Sequence, residues 1–271
     1  MSAQLPLNIV AVTPELAENT SKLAKVIHDN MKDPGYVVVR GFDMGSARLN
    51  EATNFLLELG QILGTPISHD ESGSLIWDIK ASGRTGAKVP TFSEHADEAF
   101  LHTDSQYRQT PEDIFALYCL QPAADGGGVS LLMTYRDLMD EINATPERAA
   151  LVPYLETELY PFAVPTAFKL NPDGPPEYVY SPILEGNGKL RFRVDTLVSA
   201  LADGVGNLSA KALEAFEMVK DVLETSDKVR SFDLETGDLF FLNNRRTLHG
   251  RTSFSDINRH LLRIRLACED V

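Results

Sequence analysis

The chain has 271 residues, of which 43% are hydrophobic and 24% are charged, as in a folded globular protein. Its formal net charge of −14 argues against a nucleic-acid partner, because DNA and RNA are polyanions and no stripe of Lys and Arg reverses the charge locally. We expect a cytoplasmic chain without a membrane partner, because no apolar run approaches the ~20 residues of a membrane span, the N-terminus lacks a signal-peptide pattern, and Cys119 and Cys268 are predicted to be reduced.

The first hundred residues predict two helices with one strand between them. Apolar residues recur at helical spacing over 14–33, and Pro14 suits the first turn of a helix. A β-branched run predicts a strand over 36–41. A second amphipathic helix is predicted over 46–64, with Ser46 as its cap.

Beyond residue 73, short apolar or alternating runs recur between turn residues. This pattern is typical of a β-barrel or β-sandwich. The chain contains no internal repeat and no low-complexity segment, so we expect a single domain over 1–271 with helices packed on the barrel. The predicted strands cover 74–79, 114–120, 129–133, 178–181, 189–194, 238–242 and 261–267.

Two further helices and one irregular segment interrupt these strands. A short helix is predicted over 135–142. The Pro-rich segment 153–176 is irregular, which indicates a lid over an active site rather than a linker. A longer helix is predicted over 209–225, with a buried face formed by Leu213, Phe216, Val219 and Val222.

Three residues form a candidate metal site. His102 and Asp104 are two positions apart, so on an extended segment both side chains point to one side and can hold one ion. His249 follows a strongly apolar strand far downstream and would be the third ligand, at the end of a loop. Two imidazoles and one carboxylate on one face of an octahedral metal leave three positions open, which suits iron(II). The short triplet is not specific by itself, and most lone histidines are structural.

The last predicted strand carries three arginines. Arg259, Arg263 and Arg265 alternate with apolar residues, so a period of two places them on one face. Guanidinium groups on an apolar strand need anions, and a dicarboxylate can be gripped by Arg in a bidentate fork. A solvent-facing edge strand with a basic face is the alternative interpretation.

These segments resemble one known family. The stretches HTDSQY, GGGVSLL and GDLFFLNNRRTLHGRTSF, followed by RHLLR, are similar to motifs of the taurine dioxygenase and clavaminate synthase-like family of iron(II)- and 2-oxoglutarate-dependent oxygenases. They run in family order from residue 102 to the C-terminus. The resemblance implies an α+β fold with a double-stranded β-helix, or jelly-roll, barrel and flanking helices. It also implies iron(II), 2-oxoglutarate and O2 as cofactor and co-substrates.

The resemblance also implies roles for individual residues. His102, Asp104 and His249 would be the catalytic metal ligands. Arg259 and Ser130 would bind the distal carboxylate of 2-oxoglutarate, although the family often has Thr at the position of Ser130. Arg263 would face the acidic group of the primary substrate. The spacing after His249 is slightly shorter than in clavaminate synthase-like members, so the two arginines could instead exchange roles.

The expected substrate is a small molecule, namely a free amino acid or an amino-acid derivative that is hydroxylated at an unactivated C–H bond. Ser93 and Glu94 lie just upstream of the first proposed ligand, where they would receive a substrate ammonium, and Gln106 would face the metal pocket. An exposed polar loop is the alternative for Ser93 and Glu94. Three other functions stay open: oxidation of a sulfonate or another organic acid, desaturation or cyclisation by the same enzyme, and a non-enzymatic cupin-like binding protein.

Overall fold

A computed structural model describes residues 5–42, 49–69, 73–80, 95–169, 171 and 173–268. Helices and sheets are mixed along the chain, which agrees with the predicted α+β class. Within the described ranges, no helix combines the length and the apolar character needed to cross a membrane. The helices are α1 (Pro14–Ala17), α2 (Thr20–Met31), α3 (Leu49–Leu63), α4 (Tyr135–Ile142), α5 (Pro146–Ala149), α6 (Val152–Thr157), α7 (Val194–Ala202) and α8 (Ala210–Thr225).

Most strands belong to two sheets, and two short hairpins complete the described strands. The strands are β1 (Ile9–Ala11), β2 (Tyr36–Arg40), β3 (Thr65–Pro66), β4 (Ile76–Lys80), β5 (Ala99–His102), β6 (Ile114–Gln121), β7 (Ser130–Thr134), β8 (Tyr160–Ala163), β9 (Tyr178–Ser181), β10 (Leu184–Gly186), β11 (Lys189–Leu190), β12 (Arg230–Phe232), β13 (Leu239–Asn243), β14 (Thr247–Arg251) and β15 (His260–Ala267).

The larger sheet, which we call the major sheet, has the order β1-β2-β13-β6-β15-β3, and β4 also pairs with β15. Its central strand β13 is apolar and buried along its whole length, as expected for a strand covered on both faces. Leu262, Ile264 and Leu266 of β15 pack on one side with residues of α2 and α3. The opposite side of the same strand carries Arg263 and Arg265.

The smaller sheet, which we call the minor sheet, has the order β12-β7-β14-β5. Helices α4, α7 and α8 contribute to an apolar cluster with residues of β5, β7 and β14. Helix α4 begins at a complete capping box between Thr134 and Asp137, which fixes the end of β7. Both strands that carry the predicted histidine ligands belong to this sheet.

The structure corrects several predicted boundaries. The helix over 14–33 is two helices, because Asn19 caps α2 through a hydrogen bond from Lys22 N to its side chain. The strand over 189–194 ends at Leu190, and Val194 begins α7. Leu213 is 39% exposed and does not belong to the buried face of α8, which also uses alanines that a search for large apolar residues passes over. Ser46 lies outside the described residues.

The segment over 153–176 is more regular than its composition suggests. It contains most of α6 and all of β8, which pairs with β9. A single 3-10 turn, Thr166–Phe168, follows Pro165. Among the described residues of this segment, this turn and its neighbour Pro165 are the ones that line the cavity described below.

Candidate active site

The three predicted ligands converge. Ligand atoms of His102, Asp104 and His249 all lie within 4.8 Å of one another, and all three residues are buried. Asp104 Oδ1 is 3.4 Å from His102 Nε2 and 3.9 Å from His249 Nε2. Their arrangement leaves room for one ion between two imidazoles and one carboxylate oxygen.

Strand pairing produces this convergence. His102 ends β5 and is the register partner of His249 in β14, so both imidazoles come from neighbouring strands of the minor sheet. The prediction that His249 ends a loop was wrong, because His249 lies within β14, and no strand was predicted at His102, which ends β5. A continuous apolar run is absent around each residue, which is why neither strand was recognised.

Hydrogen bonds and burial prepare the imidazoles to act as ligands. His102 Nδ1 lies 2.6 Å from the carbonyl oxygen of Phe100, which makes Nδ1 the protonated donor and leaves the lone pair of Nε2 available. The His249 ring stacks on Phe115 with ring centroids 4.5 Å apart. Burial and the neighbouring His102 keep the pKa of His249 well below its usual value, so this imidazole is neutral, as a metal ligand must be.

Asp104 lies in a turn that begins directly after β5. Burial raises the pKa of Asp104, but Arg265, His102 and Arg263 outweigh burial and hold this pKa well below its usual range. Thr103, the residue before Asp104, is held in place by Phe192. The backbone N–H of Thr103 donates to Phe192 O at 2.9 Å, and its hydroxyl accepts from Phe192 N at 3.1 Å. The Asp104 carboxylate is therefore ionised, and the backbone next to it is held in place by hydrogen bonds.

A cavity of about 250 Å³ opens beside these three residues. Pockets for drug-sized ligands measure about 300–1,000 Å³, so this cavity suits small molecules. Tyr107 and Phe168 stack at 4.9 Å, which closes one side with the 3-10 turn. The lining includes His102, Asp104, Tyr107, Phe115, Ser130, Phe168, Arg193, His249, Arg251, Arg259, Arg263 and Arg265.

The predicted co-substrate residues are among this lining. Ser130 begins β7 directly after the glycine-rich turn, and Arg259 immediately precedes β15. The Arg259 guanidinium lies 4.9 Å from the centre of the Phe254 ring, and burial lowers its pKa. Within the described ranges, no carboxylate lies at salt-bridge distance from Arg259, so its buried charge is available to an anion. A Cβ on Gly128 would come within 2.7 Å of Arg259 Nε, so this glycine lets the turn pack against the guanidinium.

Arg263 and Arg265 reach the cavity from the major sheet. Arg263 Nη1 lies 3.4 Å from Asp104 Oδ2, and burial together with Arg265 lowers the pKa of Arg263 to about 10. Arg265 Nη2 lies 3.1 Å from the same oxygen. The prediction that these strand residues share one face is confirmed for Arg263 and Arg265, whereas Arg259 precedes the strand and reaches the cavity from the loop.

The other predicted substrate residue that the structure describes, Gln106, lies outside this group. Gln106 does not line the cavity, and its Nε2 instead donates to Thr196 Oγ1 at 3.3 Å. The period-two argument failed here because Ser105 has a positive φ of 53°, so the chain turns after Asp104 rather than staying extended. Ser93 and Glu94 lie outside the described residues.

A family model described as the taurine catabolism dioxygenase TauD, TfdA family matches residues 3–265. This chain belongs to that family.

Two curated relatives of the TauD/TfdA chain come from a fungus and a bacterium. A taurine hydroxylase-like protein, SAT17, of Stachybotrys chartarum is 26% identical over 93% of this chain and 65% of its own length. The FR-33289 synthase of Streptomyces rubellomurinus is 25% identical over 87% of this chain and 70% of its own length. This chain therefore spans just under two thirds of the fungal relative.

Solved structures share the fold. An asparagine oxygenase, in complex with Fe(II), 3-hydroxyasparagine and succinate, has a TM-score of 0.76 at 18% identity and covers 96% of this chain and 93% of its own. The non-heme iron oxygenase OrfP, in complex with Fe, succinate and a dihydroxy-arginine, has a TM-score of 0.71 at 16% identity and covers 98% and 95%. At these identities the likeness establishes the fold of the TauD/TfdA chain.

The structure adds site residues that sequence reasoning missed. Arg193 and Arg251 also line the cavity, and Phe115 supports His249 from the major sheet. Asn244 is fully buried and bonds the backbone of Asp104. The adjacent asparagines of the NNRR segment were a visible signal for such a buried contact, because a polar pair directly after an apolar strand needs partners.

Proposed function

We propose that this chain is an iron(II)- and 2-oxoglutarate-dependent oxygenase that hydroxylates a free amino acid or an amino-acid derivative. The observation that carries the proposal is the cluster of His102, Asp104 and His249 at the wall of an arginine-lined cavity. Two imidazoles and one carboxylate are the donor set that iron(II) oxygenases use, and the donors here fit one ion. Membership of a dioxygenase family supports the same conclusion.

Each residue then has a stated task. His102, Asp104 and His249 hold the iron, Arg259 and Ser130 bind the distal carboxylate of 2-oxoglutarate, and Arg263 binds the carboxylate of the substrate. Bound iron supplies O2 activation, in which 2-oxoglutarate is oxidised to succinate and CO2 while one oxygen atom enters a substrate C–H bond. The protein orients the two acids and excludes water behind the stacked Tyr107 and Phe168 rings.

The proposal extends to the fold and to the lid. We propose that the major and minor sheets form the jelly-roll barrel expected for the family, with the site between them, and that 1–271 is one domain. Support comes from the ligands on the minor sheet and the arginines of the major sheet, which meet in one cavity. The turn around Phe168 is the proposed lid, and Ser93 and Glu94 remain candidates for binding an ammonium group.

A second substrate class has its own supporting observation. Five arginines line the cavity, and among the lining residues that the structure describes Asp104 is the only carboxylate. Once a dianionic co-substrate is bound, positive charge remains for a second acid. This favours a sulfonate or another small organic acid, or an amino-acid derivative whose amine no longer carries a charge.

Two measurements test the proposal in sequence. Anaerobic addition of iron(II) and 2-oxoglutarate should give a weak visible absorption band from the chelate, and a cupin-like binding protein would give none. A panel of free amino acids, their N-acylated counterparts and small sulfonates, scored by succinate formation and by product mass, then separates the substrate classes. The product mass also separates hydroxylation, which adds one oxygen atom, from desaturation or cyclisation, which remove two hydrogen atoms.

A further inference from the structure

The two carboxylate oxygens of Asp104 face different surroundings. Oδ1 points towards the imidazoles, at 3.4 Å from His102 Nε2 and 3.9 Å from His249 Nε2. Oδ2 points towards the major sheet, where Arg265 Nη2 donates to it at 3.1 Å and Arg263 Nη1 lies at 3.4 Å. The carboxylate is therefore held in one rotation, with a single oxygen directed at the candidate metal position.

Arg265 has a second buried partner that fixes its own position. Its Nε lies 2.8 Å from Oε1 of Glu112, whose side chain is completely buried, and the Arg265 side chain is 4% exposed. Glu112 precedes β6, and Arg265 lies in β15, which pairs with β6. If Arg265 moved away, both buried carboxylates would lose an ion-pair partner, which is costly in a low-dielectric interior. Arg265 is therefore held in this position more firmly than Arg263.

Asn244 holds the backbone of the same two acidic residues. Asp104 N donates to Asn244 Oδ1 at 2.7 Å, and Asn244 Nδ2 donates to the carbonyl oxygens of Asp104 at 3.1 Å and of Glu112 at 3.0 Å. Asn244 thus fixes the main chains that carry the two carboxylates, while Arg265 fixes the side chains.

We propose that Arg265, backed by Glu112, is a positioning residue that holds Asp104 Oδ2 away from the metal, so that Asp104 binds iron through Oδ1 alone. This inference rests on the proposed function. Single-oxygen binding matters because a facial triad leaves three positions for 2-oxoglutarate and O2, and a carboxylate that bound through both oxygens would occupy one of them. This positioning role differs from the proposed roles of Arg259 and Arg263, which bind the carboxylates of 2-oxoglutarate and of the substrate.

The test removes Arg265 together with Glu112, so that no unpaired Glu112 carboxylate stays buried, while Asp104 keeps Arg263 at 3.4 Å. In the double variant Arg265→Met with Glu112→Met, both side chains become apolar at similar volume, an exchange that is often neutral for stability. We expect the affinity of the metal-free protein for Co(II), titrated by visible absorption, to fall about 10- to 100-fold, the usual effect of losing an outer partner of a metal ligand. The midpoint of urea unfolding without metal should stay near that of the wild type.

Two single variants show whether the effect belongs to the position of Arg265. Arg265→Lys keeps the charge but cannot contact both carboxylates at once, so its Co(II) affinity should lie between the wild type and the double variant. Arg230→Met is the matched control, because Arg230 forms a buried ion pair with Asp137 and does not line the cavity. It should lower the free energy of unfolding and leave Co(II) affinity unchanged.

The outcomes distinguish this inference from the proposed function. If the wild type binds neither Co(II) nor the iron and 2-oxoglutarate pair, the proposed function fails. If the wild type binds Co(II) and the folded double variant binds it equally well, the positioning role of Arg265 is wrong and the proposed function stands. Equal losses of Co(II) affinity in the double variant and in Arg230→Met would also overturn the inference, because they would indicate a general effect of lost stability.

Discussion

The minor and major sheets divide the chemistry of the site between them. The minor sheet supplies two imidazoles, on β5 and β14, whereas the major sheet supplies the arginines of β15. Asp104 lies between the two and contacts both sets. Apart from Arg265, which contacts Asp104 from the major sheet, residues of the two sheets should therefore affect metal affinity and acid affinity separately.

The largest effect is expected on the minor-sheet side. Replacement of His102, Asp104 or His249 by Ala removes one of three ligands, so Co(II) or iron(II) affinity should fall by more than about 100-fold, above the loss for an outer partner. Turnover should fall with it. The two imidazoles line a cavity rather than an apolar cluster, so thermal unfolding of the metal-free protein should change little in the two histidine variants. Near-normal turnover by Asp104→Ala would contradict the ligand set.

On the major-sheet side, Arg259→Ala should weaken 2-oxoglutarate binding far more than metal binding. Breaking a buried charge pair from one side costs about 3–5 kcal/mol, which corresponds to a hundredfold or more in affinity. Titration of the iron-loaded protein with 2-oxoglutarate, followed by the chelate band, measures this loss. Equal weakening of Co(II) alone would mean that the two sheets do not act separately.

Arg263→Lys sharpens the division within the major sheet. A point charge replaces a planar fork, so substrate binding should weaken by about 1.5–3 kcal/mol, while 2-oxoglutarate binding changes less. The two half-saturation concentrations, measured by succinate formation, separate the roles. The reverse pattern would assign Arg263 to 2-oxoglutarate and exchange the roles of the two arginines.

The next prediction concerns the pH dependence of stability, because the arginines of the major sheet help to lower the pKa of His69. Burial, with Arg263 and Arg265, lowers the pKa of His69 from 6.5 to about 2. Below about pH 6.5 the unfolded chain binds a proton that the native protein does not, so stability is present above this pH and falls by about 1.4 kcal/mol per pH unit on acidification. His69→Leu should flatten the urea-unfolding profile between pH 7 and pH 5. The control is His28→Gln, because His28 is half-buried rather than buried, and this variant should keep the wild-type slope.

The smallest effect concerns the glycine-rich turn. Gly128→Ala places a Cβ within 2.7 Å of Arg259 Nε at a positive φ of 70°, whereas Gly126→Ala has a similar φ of 74° and meets nothing within 4 Å. Both variants carry the backbone strain, so only Gly128→Ala should also displace Arg259. We expect about fivefold weaker 2-oxoglutarate binding for Gly128→Ala relative to Gly126→Ala, or about 1 kcal/mol.

The sequence was informative where one strong pattern acts alone. The strand over 178–181 and the short helix over 135–142 followed from local signals, whereas the clustering of His102, Asp104 and His249 was expected only together with the resemblance to a family. The sequence was least informative where contacts between residues far apart in the chain determine the local structure. Strands β5 and β14 are held by pairing with each other and lack an apolar run, and the Arg265–Glu112 ion pair joins residues far apart in the sequence. Gln106 was predicted to face the metal pocket, but the positive φ of Ser105 turns the chain before Gln106.

The position of β5 has a mechanical consequence. Among the described strands it is the last one of its sheet and pairs with β14, with a register irregularity between His249 and Arg251. An ion bound by His102 and His249 would cross-link these two strands through their side chains. Its binding free energy would then add to the cost of peeling the edge strand away, by mass action. Backbone amides of β5 should accordingly exchange with deuterium more slowly as the metal concentration rises.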